Sequence, residues 1–520
     1  IKNYSIMYDY VEIPKPKESG FDLSQSNKFT MDFGDLVPVF KQEVLPSDEF
    51  KVDSQFMVRM APLANPIFTK INAQIHYFFV PNRLLWDGGK NNDWQTFITG
   101  GKDGNATPTP PYITLDKIYD DTNVDGANSR GVQTLSDYMG VPLLPDGTAS
   151  GDFADVRINA LPFLAYQKIY DDWYRDPNLT NSTFDFYEDY WLNGGNINNG
   201  SALRALLTLR QRAWKKDYFT SALPWAQRGE EVRIPSNSQF YAQNLDGYAG
   251  YGDAIVEKDE INEQYRLSSM SLGTIRELRN ASALQLWLEK NAIGGARYIE
   301  QLLAHFGVYS DDARMQRAEY LGSVSSPVVI SEVQSNAETA EAPLGKLGGK
   351  GVSYGNDFAF KQKFTEHGWI IGIMSIIPDA SYCQGLHRSL THRNEKLDYA
   401  FPEFAELGLQ EIDNTEIYLS GNSDDEGIFG YNDRYAEYKS NYNEVHGFFA
   451  DNINDTLHQY NMTRFYGAAP ALGTGFITVQ EGQITSPFVD TERNRGNLWV
   501  DLWTDCKAIR PLPKNSIPLF

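Results

Sequence analysis

The sequence predicts a mainly β protein built from strands and long loops, and three observations carry this prediction. The 520 residues include 25 Pro, 42 Gly and 13% aromatic residues, a composition that favours strands joined by sizeable loops. Apolar and polar residues alternate along several segments with the two-residue period of a strand. No linker rich in Pro or Ser and no fixed repeat divides the chain, so we expect one domain over residues 1–520.

The first clear strand runs from Lys70 to Phe79. Apolar residues at the odd positions from 71 to 79 alternate with Asn72, Gln74 and His76. One face therefore enters a core while the other is mainly polar. Prolines before the strand and Pro81 after it cannot donate ladder hydrogen bonds, so they bound the strand.

Two helices are predicted in the middle of the chain. Leucines, an isoleucine and an alanine spaced three or four residues apart predict a helix from Thr274 to Asn291, which ends before Gly294 and Gly295. A second helix is predicted from Tyr298 to Phe306, with Gly307 as its C-terminal cap.

Two further strands are predicted in the second half. The apolar run from Trp369 to Ile377 is too short to span a membrane and indicates a strand buried on both faces. Leu498 to Lys507 alternates again, with Cys506 on the buried face and Trp499 and Trp503 on the other. Residues 508–520 are rich in Pro and predict an extended C-terminal arm.

Several longer motifs follow one another in an order known from one family. They include Arg59 to Trp86, Asp217 to Gly229, Phe364 to Gly372 and Phe429 to Tyr438. In these motifs the chain resembles the major capsid proteins of the microviruses, and especially their gokushovirus-like branch.

The resemblance implies an eight-stranded antiparallel jelly-roll barrel of the viral capsid type, with long loop and helical insertions. The insertions are expected at about 100–158, at 236–270, where a surface protrusion at the three-fold axis is implied, and at 271–310, which is helical. Subunit contacts are expected in residues 102–157, in residues 421–431 and in the C-terminal arm.

The implied function is that of a non-enzymatic major capsid protein. Many copies would close into a T=1 icosahedral shell around circular single-stranded DNA in the cytoplasm of a bacterial host and remain in the virion. The implied partners are further copies of the chain, DNA bound without regard to sequence, a small basic internal DNA-binding protein, a pilot or minor capsid protein and a host receptor. No membrane is implied.

Charge and cysteine content agree with a shell subunit. The net charge of −22 argues against a general nucleic-acid binder but not against a container whose inner surface is locally basic. The same charge makes copies repel one another, so assembly is expected to depend on salt. Two cysteines in this length argue against a disulfide framework and fit a reducing cytoplasm.

Candidate contacts to DNA combine cations for phosphate with aromatic rings for bases. Solvated faces or salt bridges within or between subunits are the alternative for every one of them. The candidates are Arg204, Arg210, Arg212, Trp214, Lys215, Lys216, Arg388, Arg393, Arg493, Arg495, Lys507 and Arg510.

Two loops suggest further contacts. Tyr241, Tyr248 and Tyr251 lie in the insertion at 236–270 and would provide amphipathic contact area for a host surface, with a purely decorative loop as the alternative. Asp121, Asn123 and Asp125 match the start of a calcium loop, but Val132 replaces its last carboxylate. A weaker structural site for Ca²⁺ or Mg²⁺ remains, with an Asx-rich turn as the alternative, and no other cofactor is predicted.

Catalytic motifs are not found. The glycine-rich segment from Gly345 to Gly351 lacks the spacing and the hydroxyl residue of a phosphate loop. His387 and His392 are too far apart along a helix or strand to converge on one ion. The alternative of another class is a secreted β-sandwich carbohydrate-active enzyme or lectin, which the Tyr and Trp content and the acidity would suit.

Overall fold

The computed structural model describes most of the chain. Described are residues 17–89, 92–120, 131–229, 275–295, 297–334, 347–454, 457–480, 488 and 496–515, with short strands at Ser5–Ile6, Asp9–Tyr10, Tyr241–Ala242, Val256–Asp259 and Gln264–Leu267.

One large antiparallel sheet, curled into a half-barrel, forms the centre of the fold. Its strands in chain order are β1 (Ser19–Asp22), β2 (Gln25–Met31), β3 (Val37–Val44), β4 (Glu49–Met60), β5 (Ile71–Pro81), β6 (Glu319–Gln334), β7 (Leu347–Lys363), β8 (Gly368–Pro378) and β9 (Leu498–Arg510). They pair in the order β1-β9-β4-β7-β6-β5-β8-β3, and β2 also pairs with β9.

This topology agrees with the predicted jelly-roll class. The sheet has nine strands rather than eight, because β1 and β2 follow each other along one edge of β9. Long insertions separate β5 from β6 and β8 from β9. The curled sheet therefore acts as a scaffold from which most of the remaining chain projects.

Strand β8 lies between two hydrophobic cores. Ile370 and Met374 enter the core enclosed by the curled sheet, while Ile371 and Ile373 enter a second core under the insertion that follows β5. Alternate side chains of a strand point to opposite faces, so an apolar strand can join two cores. The predicted burial on both faces is confirmed, and each such isoleucine contributes roughly 1.5–3 kcal/mol to folding.

Strands β5 and β9 follow the predicted alternation. In β5 the side chains of Ile71, Ile75 and Tyr77 are fully buried, and those of Asn72 and Gln74 are half-buried. Pro81 does not stand outside β5 but is its last residue, paired with Gly368 of β8.

The closing strand β9 buries Cys506 and exposes Trp499 and Trp503, as predicted. It continues beyond Lys507 to Arg510, and its last residues pair with β1. Residues 508–510 therefore belong to the sheet rather than to an extended arm.

Four helices of eight or more residues occur in the described parts of the chain. They are α1 (Leu161–Ile169), α2 (Gly200–Leu207), α3 (Ile275–Gly294) and α4 (Tyr298–Phe306). Helix α4 has the predicted bounds, and Gly307 caps it in the left-handed conformation with a φ of 66°. Helix α3 extends beyond the predicted end at Asn291 to Gly294.

Shorter elements complete the insertions. Helix α1 continues into a π-helical turn at Tyr170–Tyr174. Short helices lie at Trp94–Thr99, Leu115–Ile118, Leu135–Tyr138, Thr183–Phe186, Glu188–Trp191, Arg388–Thr391, Asn414–Ile417, Ala436–Lys439 and Thr474–Ile477. Short strand pairs join Tyr112–Thr114 to Arg157–Asn159, Ser381–Tyr382 to Asn443–Glu444, and Gln410–Asp413 to Ile428–Asn432. Within the described residues, none of the helices has the length and apolar character needed to cross a bilayer.

Candidate functional site

A cleft of about 1020 Å³ lies over the polar face of β5. Asn72, Gln74 and His76 of β5 line it from below. Around them stand residues 173–178 after α1, the segment 212–216, and the junction between α3 and α4. We call this the β5 cleft. It exists because the outward side chains of β5 are polar and the insertions leave them only partly covered.

His76 is held in the β5 cleft as a neutral ring. Its imidazole stacks on Tyr174, with 5.9 Å between the ring centroids, and its Nδ1 lies 2.8 Å from the Tyr174 hydroxyl. Burial, with a smaller contribution from the Arg212 guanidinium, lowers the pKa of His76 to about 4. Near neutral pH the ring therefore acts as a hydrogen-bonding group and not as a cation.

The exposed cations in the lining of the β5 cleft are three lysines, while the arginines that line it are half-buried. Lys70, Lys215 and Lys216 are all exposed at its edge. The Lys216 ammonium is 2.9 Å from the Asp176 carboxylate, whereas Lys70 and Lys215 form no ion pair with any described residue. The cleft thus combines amide side chains, aromatic rings and exposed positive charges, and cations with aromatic rings are the groups that bind a single-stranded nucleic acid.

The predicted DNA contacts Arg210 and Arg212 are used inside the subunit. The Arg210 guanidinium lies 5.0 Å from the centroid of the Tyr170 ring and donates from Nε to Gln167. Arg212 donates from Nη1 to the Ser375 hydroxyl at 2.7 Å. Burial lowers the pKa of both guanidinium groups. They position the segment 212–216, and only Arg212 reaches the cleft.

Trp214 is also an internal residue, and its neighbour is an arginine that the sequence did not suggest. Arg464 is fully buried, and its guanidinium lies 5.1 Å from the Trp214 ring and 4.2 Å from the Phe476 ring. It donates from Nη2 to the Phe476 carbonyl at 2.6 Å and contacts Tyr382 as well. The interpretation of Trp214 as a stacking platform for bases is therefore not supported, because its ring packs against a buried cation.

Arg388 and Arg393 are engaged in ion pairs far along the chain from the segment 212–216. Arg388 donates from Nη1 to Glu416 at 2.6 Å, and Tyr218 donates its hydroxyl to the other oxygen of the same carboxylate. Arg393 lies 3.8 Å from Glu437 and packs against two tyrosine rings. Both guanidinium groups hold loops of the second insertion together.

The remaining predicted cations are spread over the surface. Arg204 is exposed on α2, and Lys507 is exposed on β9, where it faces Asp505 at 3.6 Å. Arg510 lies 3.3 Å from the buried carboxylate of Asp48. Arg493 and Arg495 fall outside the described residues. The structure therefore does not gather the predicted cations into a single patch, and of these only Lys215 and Lys216 project into solvent beside the β5 cleft.

The carboxylates and histidines form one group that resembles a metal site in composition. Atoms of His392, Asp413 and Glu416 lie within 4.8 Å of one another. Both oxygens of Glu416 already accept hydrogen bonds, and burial raises its pKa although Arg388 opposes this. A cation would have to displace the Arg388 guanidinium, so the group fits an internal network better than an ion site.

The other predicted sites are only partly visible. His387 contacts Ser389 while His392 faces Asp413, so the two imidazoles do not converge, as predicted. Asp121, Asn123 and Asp125 fall outside the described residues, as do Tyr248 and Tyr251. Tyr241 begins a short strand that pairs with Gln264–Leu267.

Lys70 and the polar face of β5, which the candidate contacts do not include, could have been found from the sequence. Lys70, Asn72, Gln74 and His76 are the polar half of the alternating pattern that predicts the strand. A polar face of this kind usually meets water, so the pattern alone did not single it out.

A curled antiparallel sheet with long loop and helical insertions agrees with the jelly-roll capsid class of proteins. The family model described as capsid protein (F protein) matches residues 11–520. The chain is 31% identical to capsid protein VP1 of Bdellovibrio phage phiMH2K and 31% identical to that of Chlamydia phage 1, in each case over 98% of this chain and 97% of the relative. It is 25% identical to capsid protein VP1 of Spiroplasma virus 4, over 93% of this chain and 92% of the relative.

The chain belongs to this phage capsid family. The resemblance to microvirus capsid proteins of the gokushovirus-like branch is confirmed, and the protein is a structural major capsid protein and virion component that assembles into an oligomeric shell. It is not an enzyme, so the carbohydrate-active alternative is wrong.

Proposed function

We propose that identical copies of this chain close into a T=1 icosahedral shell around circular single-stranded DNA, in the cytoplasm of a bacterial host. Membership of the capsid family supports this proposal. The net charge of −22 means that most of the genome charge has to be neutralised by something other than this subunit. A small basic internal protein fills that role, and a pilot or minor capsid protein and a host receptor complete the proposed partners.

Within this function, the β5 cleft is the proposed contact to DNA. A single strand can lay its phosphates against Lys70, Lys215 and Lys216 while its bases reach Asn72 and Gln74. Amide side chains pair with the edges of any base, so binding would not depend on sequence. The observation that carries this proposal is the presence, beside a polar cleft in a strongly acidic chain, of two lysines that form no ion pair with the residues the structure describes.

Substitution of the cleft lysines tests the proposal. Lys70, Lys215 and Lys216 are changed together to Ala, and the matched control changes Lys28, Lys102 and Lys363, which are equally exposed but lie elsewhere. The ratio of DNA-filled to empty particles is measured by sedimentation and ultraviolet absorbance. We expect a lower filled fraction for the cleft variant than for the control, and an equal ratio in the two variants would reject the cleft as a DNA contact.

Two further assignments belong to the same proposal. The insertion at 236–270, with Tyr241, Tyr248 and Tyr251, is the proposed contact to the host. Its replacement by a short linker should reduce adsorption to cells without preventing assembly.

Asp121, Asn123 and Asp125 are the proposed ligands of a structural Ca²⁺ or Mg²⁺ ion. A chelator should then lower the melting temperature of the particles, and Asp121→Asn with Asp125→Asn should remove that effect.

A further inference from the structure

Helix α3 has large apolar side chains that the described part of its own subunit leaves largely exposed. Asn291 and Ala292 are buried, but Leu286 is 66% exposed, Trp287 is 52% exposed and Ile293 is 60% exposed. At about 100° per residue, Leu286 and Ile293 lie close together on the side opposite Asn291 and Ala292. Trp287 lies between these two sides, and its ring stacks on His305 of α4 with 6.0 Å between the ring centroids. A surface helix normally turns its apolar side inward, so an outward apolar side indicates a contact with another molecule.

The same outward side of α3 carries positive charge. Arg276, Arg279 and Lys290 are exposed there, and none of them forms an ion pair with a residue that the structure describes. In a chain with a net charge of −22, a surface that is both apolar and basic is unusual. Its partner is therefore expected to be apolar and acidic.

Residues 397–411 of the chain provide such a surface. Phe401 and Leu407 project from this loop with exposures of 48% and 59%. Glu403, Glu406 and Glu411 are exposed beside them, and the loop has no Lys or Arg. We call this segment the acidic loop.

In one subunit the acidic loop adjoins α3 without covering it. A side chain built at Gly408 would stand 3.5 Å from the carboxylate of Glu289, which lies between Ala292 and Leu286 around the helix. The basic side of α3 and the acidic loop therefore lie next to each other on one molecule. When two complementary patches are neighbours on one molecule, a second copy rotated by 180° can place its acidic patch on the basic patch of the first copy and its basic patch on the acidic patch of the first.

We propose that the outward side of α3 docks on the acidic loop of a second copy across a two-fold axis, and that the second copy's α3 docks on the acidic loop of the first. This inference rests on the proposed self-assembly and specifies one of its contacts. Helix α4 adds two further exposed apolar side chains, Leu303 at 53% and Phe306 at 75%. The arginines then face the glutamates at the edge of the contact.

Charge exchange tests the pairing. One variant carries Arg276→Glu and Arg279→Glu, a second carries Glu403→Arg and Glu406→Arg, and a third carries all four changes and has the net charge of the native chain. We expect the yield of particles to fall about tenfold in the first two, because like charges meet, and to recover in the third. The control Lys28→Glu with Lys363→Glu has the charge of the first variant and should assemble normally. Native yields in the first two variants, or failure of the third to recover, would overturn the proposal.

Cross-linking tests proximity and symmetry. Particles co-assembled from Leu286→Cys chains and Leu407→Cys chains should form disulfide-linked dimers on oxidation, whereas particles from either variant alone should form none. Chains that carry both cysteines should give dimers and no longer species, because a two-fold contact closes on itself. A ladder of longer species would show that the contact joins subunits head to tail in a ring rather than across a two-fold axis. The absence of linked dimers would reject the contact. If the native chain formed no particles, the proposed self-assembly would fail instead.

Discussion

Because His76 is neutral in the folded subunit, we expect the free energy of unfolding to decrease in acid. Its pKa is lowered to about 4 in the folded subunit, chiefly by burial, from a value of 6.5 when the ring is exposed. The unfolded chain therefore binds the proton more strongly than the folded subunit between these two values. Stability from this group is present above pH 6.5 and is lost as the pH falls toward 4.

The size of the effect follows from the two pKa values. Between pH 7 and pH 5 the unfolded chain gains most of one proton that the folded subunit does not accept, which lowers the free energy of unfolding by about 2 kcal/mol. His76→Gln removes the titration and leaves a side chain that can still bond to the Tyr174 hydroxyl.

Urea unfolding of unassembled subunits, followed by tryptophan fluorescence at pH 7 and pH 5, measures this difference. We expect the native chain to lose about 2 kcal/mol more than the Gln variant over this range. Equal losses in the two proteins would refute the assignment of a neutral His76 in the folded subunit.

Three further predictions concern packing, backbone space and charge. Ile371→Ala empties a fully buried position in β8 and should lower the free energy of unfolding by about 3 kcal/mol, as measured by urea, whereas a loss below about 1 kcal/mol would contradict the two-core position of β8. A Cβ at Gly385 would stand 2.0 Å from the Glu416 carbonyl oxygen, so Gly385→Ala should reduce the yield of folded subunit, while Gly475→Ala, which has open space, should not. Because the net charge is −22, the subunit concentration needed for assembly should fall as salt rises toward about 0.15 M; light scattering measures this, and a concentration independent of salt would show that repulsion between copies is unimportant.

The regular elements could be predicted from the sequence because their signals are local. The alternation in β5 and β9, the apolar run of β8 and the spacing of α4 each depend on a few neighbouring residues. The barrel geometry came from the resemblance to a family. The split of one sheet edge into β1 and β2 has no comparable local signal, because it depends on how both segments pair with β9.

The candidate site was predicted less well because a sequence does not show which group each charged side chain contacts in the folded subunit. From the sequence, Arg210 and Arg212 were expected to be available for phosphate. In the structure they contact Tyr170 and Ser375, which are distant from them in the chain. Arg464 gave no signal at all, since its aromatic neighbours come from three separate segments. Lys215 lies exposed at the edge of the β5 cleft, and its contact to DNA stays a prediction. The alternating pattern predicts Lys70 only as the start of a strand.

An electron cryomicroscopy map of the purified, assembled protein tests the proposed shell and the fold of its subunit together. We expect a closed icosahedral shell in which each subunit contains the curled nine-stranded sheet and touches its neighbours through the insertions. Particles that never form at any protein concentration or salt, with only single subunits in the micrographs, would contradict it.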